Sequence, residues 1–181
     1  TGSLEGKLHR EHDLPAVINS PQGARRWYRH GKLHRDHDRP ALIQADGGCT
    51  WYQHDQRHRD HDRPAMITHL GTRKWYQHDK LHRGYDRPAS MLACGWYEWY
   101  QHDKRHRDHD LPAFVTHRGT RRWYQHGQLH RDHDRPACIE FIDGAEWWQH
   151  GNLRRDHGLP TVIERAGTSK WARHGRLHRS H

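Results

Sequence analysis

Aliphatic side chains are scarce in this chain. Apolar residues make up 31% of its 181 residues, with two Phe and two Met, against roughly 45–50% in an ordinary soluble domain. That excludes a large aliphatic core, and a composition this polar is one that disordered chains share. No apolar run approaches the ~20 residues of a membrane-spanning helix, and no signal-peptide pattern is visible. Cysteine is limited to Cys49, Cys94 and Cys138, which fall at three different phases of the repeat described below. They make neither an even disulfide set nor a metal spacing. No 3.6-residue apolar period survives across any stretch, and Pro and Gly recur too often for helix.

What the chain has instead is tryptophan in phase. Trp27, Trp51, Trp75, Trp99, Trp123, Trp147 and Trp171 step by 24 without a slip. Pro40, Pro64, Pro88, Pro112, Pro136 and Pro160 keep the same step, while Pro15 sits 25 before Pro40, with one extra residue near Pro21. A fixed period of this size is the signature of a repeat architecture. The clearest copy of the phrase is WYQHGQLHRDHDRPA, Trp123 to Ala137. Each Trp can bury roughly 200 Å², so strict phase predicts a thin, Trp-rich core rather than a disordered chain.

Within a unit the pattern is β. Arg39 before Pro40 is biased to extended geometry, and Pro40-Ala41-Leu42-Ile43 opens a short strand. Asp46-Gly47 signals a turn. Trp51-Tyr52-Gln53-His54 reads as a second, aromatic-rich strand, turned at Asp55-Gln56 and, in other copies, at a His-Gly pair. The polar HRDHDRP run reads as a connecting loop. Strand alternation puts Ala41 and Ile43 on one face and predicts Trp on that same face, with Tyr on a less buried one. The expected fold is all-β: an elongated antiparallel sheet of about seven tandem 24-residue hairpins, with units beginning near Pro15, Pro40, Pro64, Pro88, Pro112, Pro136 and Pro160. Residues 1–6 read as a lead-in and 7–181 as a single array. Fourteen strands at ~4.8 Å would span roughly 65–70 Å and leave two open edges, the first at Pro15-Ala16-Val17-Ile18 and the other at Trp171-Ala172-Arg173-His174.

The run Gly119, Trp123-Tyr124-Gln125-His126-Gly127-Gln128-Leu129-His130-Arg131 and Pro136-Ala137 resembles the MORN-repeat variant, a β-hairpin repeat of about this length. The likeness covers nearly the whole chain. It departs from the family pattern before proline, where variant repeats often carry an acidic residue and glycine; His157-Gly158-Leu159-Pro160 comes nearest. The resemblance implies a non-enzymatic module for protein assembly, with a looser link to lipid.

Two constellations carry candidate chemistry. The first is the recurring set His30, His34, His37, Asp38, repeated as His54, His58, His61, Asp62, as His102, His106, His109, Asp110, and as His126, His130, His133, Asp134. Imidazole and carboxylate suit zinc, so a histidine-based zinc site is one reading; hydrogen-bonded loop histidines are the other. The second is a spaced basic edge before each alternate Trp: Arg25, Arg26, Arg73, Lys74, Arg121, Arg122 and Lys170. With a net charge of +9, it offers nucleic acid or acidic glycan a place to bind; each copy's own Asp pair argues for self-compensation instead. The His-Arg-Asp tripeptide lacks the other parts of a kinase site, and a catalytic centre needs one asymmetric constellation rather than six copies. The sequence therefore predicts a non-enzymatic scaffold that binds a protein partner or itself through sheet edges. Polyanion binding and metal binding are the alternatives, and no transmembrane segment is expected.

Overall fold

A computed structural model describes residues 3–4, 7–8, 13–19, 23–142, 144–173 and 176–180. Thr1, Gly2, Glu5 and Gly6 of the expected lead-in, Pro21 near the extra residue, and the terminal His181 lie outside the described residues. All regular structure among the described residues is β. The chain forms two compact units, residues 1–83 with 89–93, and residues 84–88 with 94–181.

In the first unit seven short strands form a meandering antiparallel sheet. Their order is Val17–Asn19, Ala24–Arg26, Leu42–Ile43, Cys49–Thr50, Met66–Ile67, Arg73–Lys74 and Ser90–Met91. The second unit repeats the plan with Tyr97–Glu98, Phe114–Val115, Arg121–Arg122, Cys138–Glu140, Gly144–Glu146, Val162–Ile163, Ser169–Arg173 and Arg176–Ser180. Between consecutive sheet hairpins the chain makes a second, smaller hairpin, such as Tyr52–Gln53 with Gln56–Arg57 or Tyr124–Gln125 with Gln128–Leu129. Ser3–Leu4 and Lys7–Leu8 pair in the register of Tyr28–Arg29 and Lys32–Leu33, so the repeat pattern reaches back into the residues read as a lead-in.

In the copy read as turning at Asp55-Gln56 the small hairpin turns one residue earlier, while copies with a His-Gly pair turn at that pair, as the sequence suggested. Their two-residue loops are His54-Asp55, His102-Asp103, His126-Gly127 and their equivalents. His54 and Asp55 have φ of 52° and 72°, and His126 and Gly127 have 50° and 90°. Two positive φ values in a two-residue loop define the type I′ turn, whose twist matches that of paired strands. His54 is therefore a turn residue and not the end of a strand.

Strand register fixes two rows of side chains. In the second unit, one row reads Glu98, Phe114, Arg122, Cys138, Glu146, Val162 and Lys170. The other reads Tyr97, Val115, Arg121, Ile139, Ala145, Ile163 and Ser169. The first row holds the sheet's buried side chains, Glu98, Phe114 and Cys138; in the first unit Thr50 and Ser90 are their counterparts. Arg105 occupies a position where most copies have Leu. Its guanidinium hydrogen bonds Glu98 at 2.5 Å and lies 5.7 Å from the Phe114 ring and 5.4 Å from that of Tyr124. The small hairpins thus pack on the first row, while the aliphatic side chains of the isoleucine row stay half-exposed, or exposed at Ile18.

Tryptophan is not on the isoleucine face. Trp27 to Trp147 lie outside every paired strand, so alternation assigns them no face. Each sits at the corner between sheet and small hairpin: the Trp51 N–H donates to the Ala65 carbonyl at 2.8 Å, and the His58 N–H donates to the Trp51 carbonyl at 3.2 Å. Ala16, Ala41, Ala65, Ala89, Ala113 and Ala137 are at most 1% exposed, which explains why the residue after proline stays small. The last Trp behaves differently. Trp171 lies inside Ser169–Arg173, which pairs with Arg176–Ser180 as part of the sheet. The terminal strand at that end is therefore Arg176–Ser180, one strand beyond the edge expected at Trp171–His174; His174 lies outside the described residues.

Gly144 stands where an added Cβ would collide with the Ile163 carbonyl oxygen, at φ 106°. Gly144→Ala should therefore lower urea-unfolding stability by about 2 kcal/mol or more, through a positive-φ penalty and a forced backbone shift. Trp123→Ala should cost about 3–5 kcal/mol as truncation of a buried aromatic. Removing the exposed Tyr97 ring should cost well under 1 kcal/mol. Equal losses for Trp123 and Tyr97 would contradict the corner assignment.

Candidate functional site

The polar HRDHDRP run is a tight turn with a fixed job. The Arg63 N–H donates to the Asp60 carbonyl at 3.3 Å, and the two residues between, His61 and Asp62, have φ of 59° and 53°. The same positive-φ pair recurs at His37-Asp38, Tyr85-Asp86, His109-Asp110 and His133-Asp134, and at His157-Gly158 with φ of 62° and 67°. Asp is one of the few residues with a side chain that enter this region readily. Gly158 holds the corresponding place in its copy of the turn.

That turn presents the second Asp to the next repeat. The Trp51 indole N–H donates to the Asp38 carbonyl at 3.0 Å. Arg59 donates from Nε to Asp38 Oδ1 at 2.6 Å and from Nη2 to Oδ2 at 3.0 Å, and Arg63 adds a bond to Oδ2. The Arg59 guanidinium also lies 3.8 Å from the centroid of the Trp51 ring and donates to the Pro64 carbonyl at 3.2 Å. One aspartate therefore ties down the next repeat's Trp, through its backbone, and the Arg that covers that Trp, through its carboxylate. The arrangement repeats for Asp13 with Arg35 and Trp27, Asp62 with Arg83 and Trp75, Asp86 with Arg107 and Trp99, Asp110 with Arg131 and Trp123, and Asp134 with Arg155 and Trp147. Residue-by-residue reading missed this role. Its signal was present: Arg stands eight residues after each of the seven Trp in phase, and Asp precedes Trp51, Trp75, Trp99, Trp123 and Trp147 by thirteen.

The histidines divide by position. His30, His54, His102 and His126 are turn residues of small hairpins, and His37, His61, His109 and His133 are exposed turn residues. His34, His58, His106 and His130 are largely buried. Each uses Nε2 toward the first Asp of its own turn, at 2.9–3.0 Å. Each accepts at Nδ1 the backbone N–H of the histidine twenty residues on, at 3.2–3.3 Å. Asp38, Asp62, Asp110 and Asp134 are held in arginine forks. Among the described residues, no group of three or more His, Cys, Asp or Glu side chains is gathered to hold a metal ion.

The basic edge splits into two. Arg25, Arg73 and Arg121 are exposed on the isoleucine row. Arg26, Lys74, Arg122 and Lys170 belong to the other row and are half-buried; Arg122 is paired with Glu140 and Lys170 with Glu164. Each unit also carries a polar cleft at its turns. One of about 350 Å³ is bounded by Asp36, His37, Tyr52, Gln53, Asp60 and His61. Its counterpart of about 260 Å³ is bounded by Asp108, His109, Tyr124, Gln125, Asp132 and His133. Compared with known proteins, the chain matches no family model and no curated protein.

The forks lower carboxylate pKa values. Hydrogen bonds from Arg35 and from Arg59 hold Asp13 and Asp38 at about 2, against an ordinary 3.8. Asp86, Asp110 and Asp134 shift the same way through Arg107, Arg131 and Arg155. A carboxyl more acidic in the folded chain contributes stability that is present above its unfolded pKa and is lost as pH falls through the folded one. The urea midpoint should therefore drop steeply between about pH 4 and pH 2. A midpoint that stays level across that window would contradict the forks.

Proposed function

We propose that this protein is a non-enzymatic repeat scaffold that assembles, with itself or with a protein partner, through the ends of its sheet. The observation that carries this reading is the pairing of the terminal strands. Among the described residues, Val17–Asn19 pairs with Ala24–Arg26 alone, and Arg176–Ser180 with Ser169–Arg173 alone. A strand with one side unpaired presents a row of N–H and C=O groups that template another strand. Joining unlike ends repeats without closing and yields extended assemblies. Ile18, on the first of these strands, is 57% exposed and adds apolar area to such a contact. A MORN-like assembly role agrees with this reading.

A second reading has its own observation. Arg25 and Arg73 project from the same row, four strand steps apart in the first unit's sheet, about 19 Å at the usual strand spacing, with Arg121 at the corresponding place in the second unit. Exposed guanidinium groups at regular intervals suit an extended polyanion, and affinity would then fall linearly on a log–log plot against salt.

Sedimentation across a hundredfold concentration range tests the first reading. Association should grow with concentration, and Ile18→Lys should weaken it at least tenfold without lowering the melting temperature. One monomeric species throughout would overturn self-assembly. Tight RNA or heparin binding that Arg25→Ser with Arg73→Ser abolishes would favour the second.

A further inference from the structure

Four histidines sit in one geometry that allows a single protonation state. The His78 N–H donates to His58 Nδ1 at 3.3 Å, so that nitrogen carries no proton. His58 Nε2, 3.0 Å from Asp60 Oδ1, must then be the N–H that donates to the carboxylate. The same holds for His34 with His54 and Asp36, His106 with His126 and Asp108, and His130 with His150 and Asp132. The two imidazoles of each pair also face one another across repeats, with centroids 4.2–4.6 Å apart.

We propose that these histidines form a proton-operated latch between consecutive repeats, closed when the imidazole is neutral and opened when it is protonated. A proton on Nδ1 replaces the acceptor with a donor, which then points at the donating N–H of the next hairpin, and that hydrogen bond cannot persist. The same proton turns the Nε2 contact into an ion pair with the repeat's own aspartate. Protonation thus exchanges a bond between repeats for a stronger bond within one, and the turn stays folded while the next hairpin is released.

The surrounding charges agree with a reversible exchange. Around His58 these are Asp60 and His61 on its own turn, the ring of His78, and the carboxylate of Asp79, which is engaged by Arg57. On the side of the preceding turn, His34, Asp36 and His37 share its cleft. His34 faces the matching set: Asp36, which also accepts from Arg29, His37, the His54 ring, and Asp55, whose carboxylate accepts the Leu33 N–H at 2.6 Å. Around His106 and His130 the next hairpins turn at Gly127 and Gly151, so no turn carboxylate stands there; the facing groups are Asp108 with His109 and His126, and Asp132 with His133 and His150. Arg35, Arg39 and Arg59 border the cleft of His34 and His58, and Arg107 and Arg131 that of His106 and His130; each of these arginines is bonded to an aspartate, Asp13, Asp38, Asp86 or Asp110. The latch takes its proton on an imidazole and the forks take theirs on carboxylates, so the two devices are chemically distinct.

The test is NMR on the intact chain. At pH 7.5, ¹⁵N shifts should show His34, His58, His106 and His130 protonated at Nε2 alone. The amides of His54, His78, His126 and His150 should be protected from exchange. At pH 5 those four protection factors should fall at least tenfold, while sheet amides such as Ile67 and Arg121 keep theirs. In His58→Asn, the amide oxygen retains an acceptor that takes no proton. There the His78 amide should stay protected at pH 5 while the other three lose protection. Nδ1-protonated rings at pH 7.5, or protection unchanged at pH 5, would overturn the proposal; should the variant fail to fold, these two measurements on the native chain still decide it.

Discussion

The aspartate of each polar turn, reaching into the next repeat, is the interaction on which the fold depends. No unit has enough aliphatic area to close a core of its own, and a Trp alone cannot bury its indole N–H without a partner. The Asp38 carbonyl supplies that partner for Trp51, and the Asp38 carboxylate orients the guanidinium that lies over the same ring. Stacked between a fork and an aromatic face, the Arg serves as a planar lid in place of a second hydrophobic residue. Because both halves cross from one repeat to the next, a unit is completed by its neighbour, as expected of arrays whose stability is carried by nearest-neighbour interfaces.

This explains a composition that otherwise looks unfoldable. The abundance of Arg, Asp and His is not a solvated surplus around a small core; much of it is the packing. Position by position, charge takes over from hydrocarbon. Arg57 and Arg105 stand where other copies have Leu, with Arg57 over the Tyr76 ring at 4.0 Å and Arg105 joined to the buried Glu98. The net charge of +9 remains as a spare fraction, visible at Arg25, Arg73 and Arg121 on the open row.

The period, the all-β class and the tandem hairpins were legible in the sequence because they follow from phase, proline and turn residues, which act locally. The corner was not. Trp51 adjoins Tyr52 in what looks like one aromatic strand, and nothing local reveals that the chain bends there so that the Trp N–H can reach Ala65. The His54 turn was misread by one residue because Asp-Gln and His-Asp are both plausible loops; only pairing with Gln56–Arg57 selects the latter. The histidine sets were legible as a pattern but not as chemistry. Metal ligation and hydrogen bonding ask for the same residues, and it takes the partner twenty residues away to show where each ring nitrogen of His34, His58, His106 and His130 is engaged. In the turn before proline, Asp38 and Gly158 take the same left-handed conformation, with φ of 54° and 67°, and Asp38 adds a carboxylate that Gly158 does not have.

A double-mutant cycle on Asp110 and Arg131 tests the central claim most directly. The Arg131 side chain is 14% exposed and that of Asp110 36%, so solvent screens part of the pair but not all of it. The account predicts a coupling free energy of about 1–2 kcal/mol at pH 7, clearly above the ~0.2–1 kcal/mol typical of exposed pairs, and its decline as the pH is lowered through the acid range in which Asp110 takes up its proton. A coupling near zero at pH 7 would mean that the aspartate turn and the arginine lid are independent, and that something other than this clasp joins the repeats.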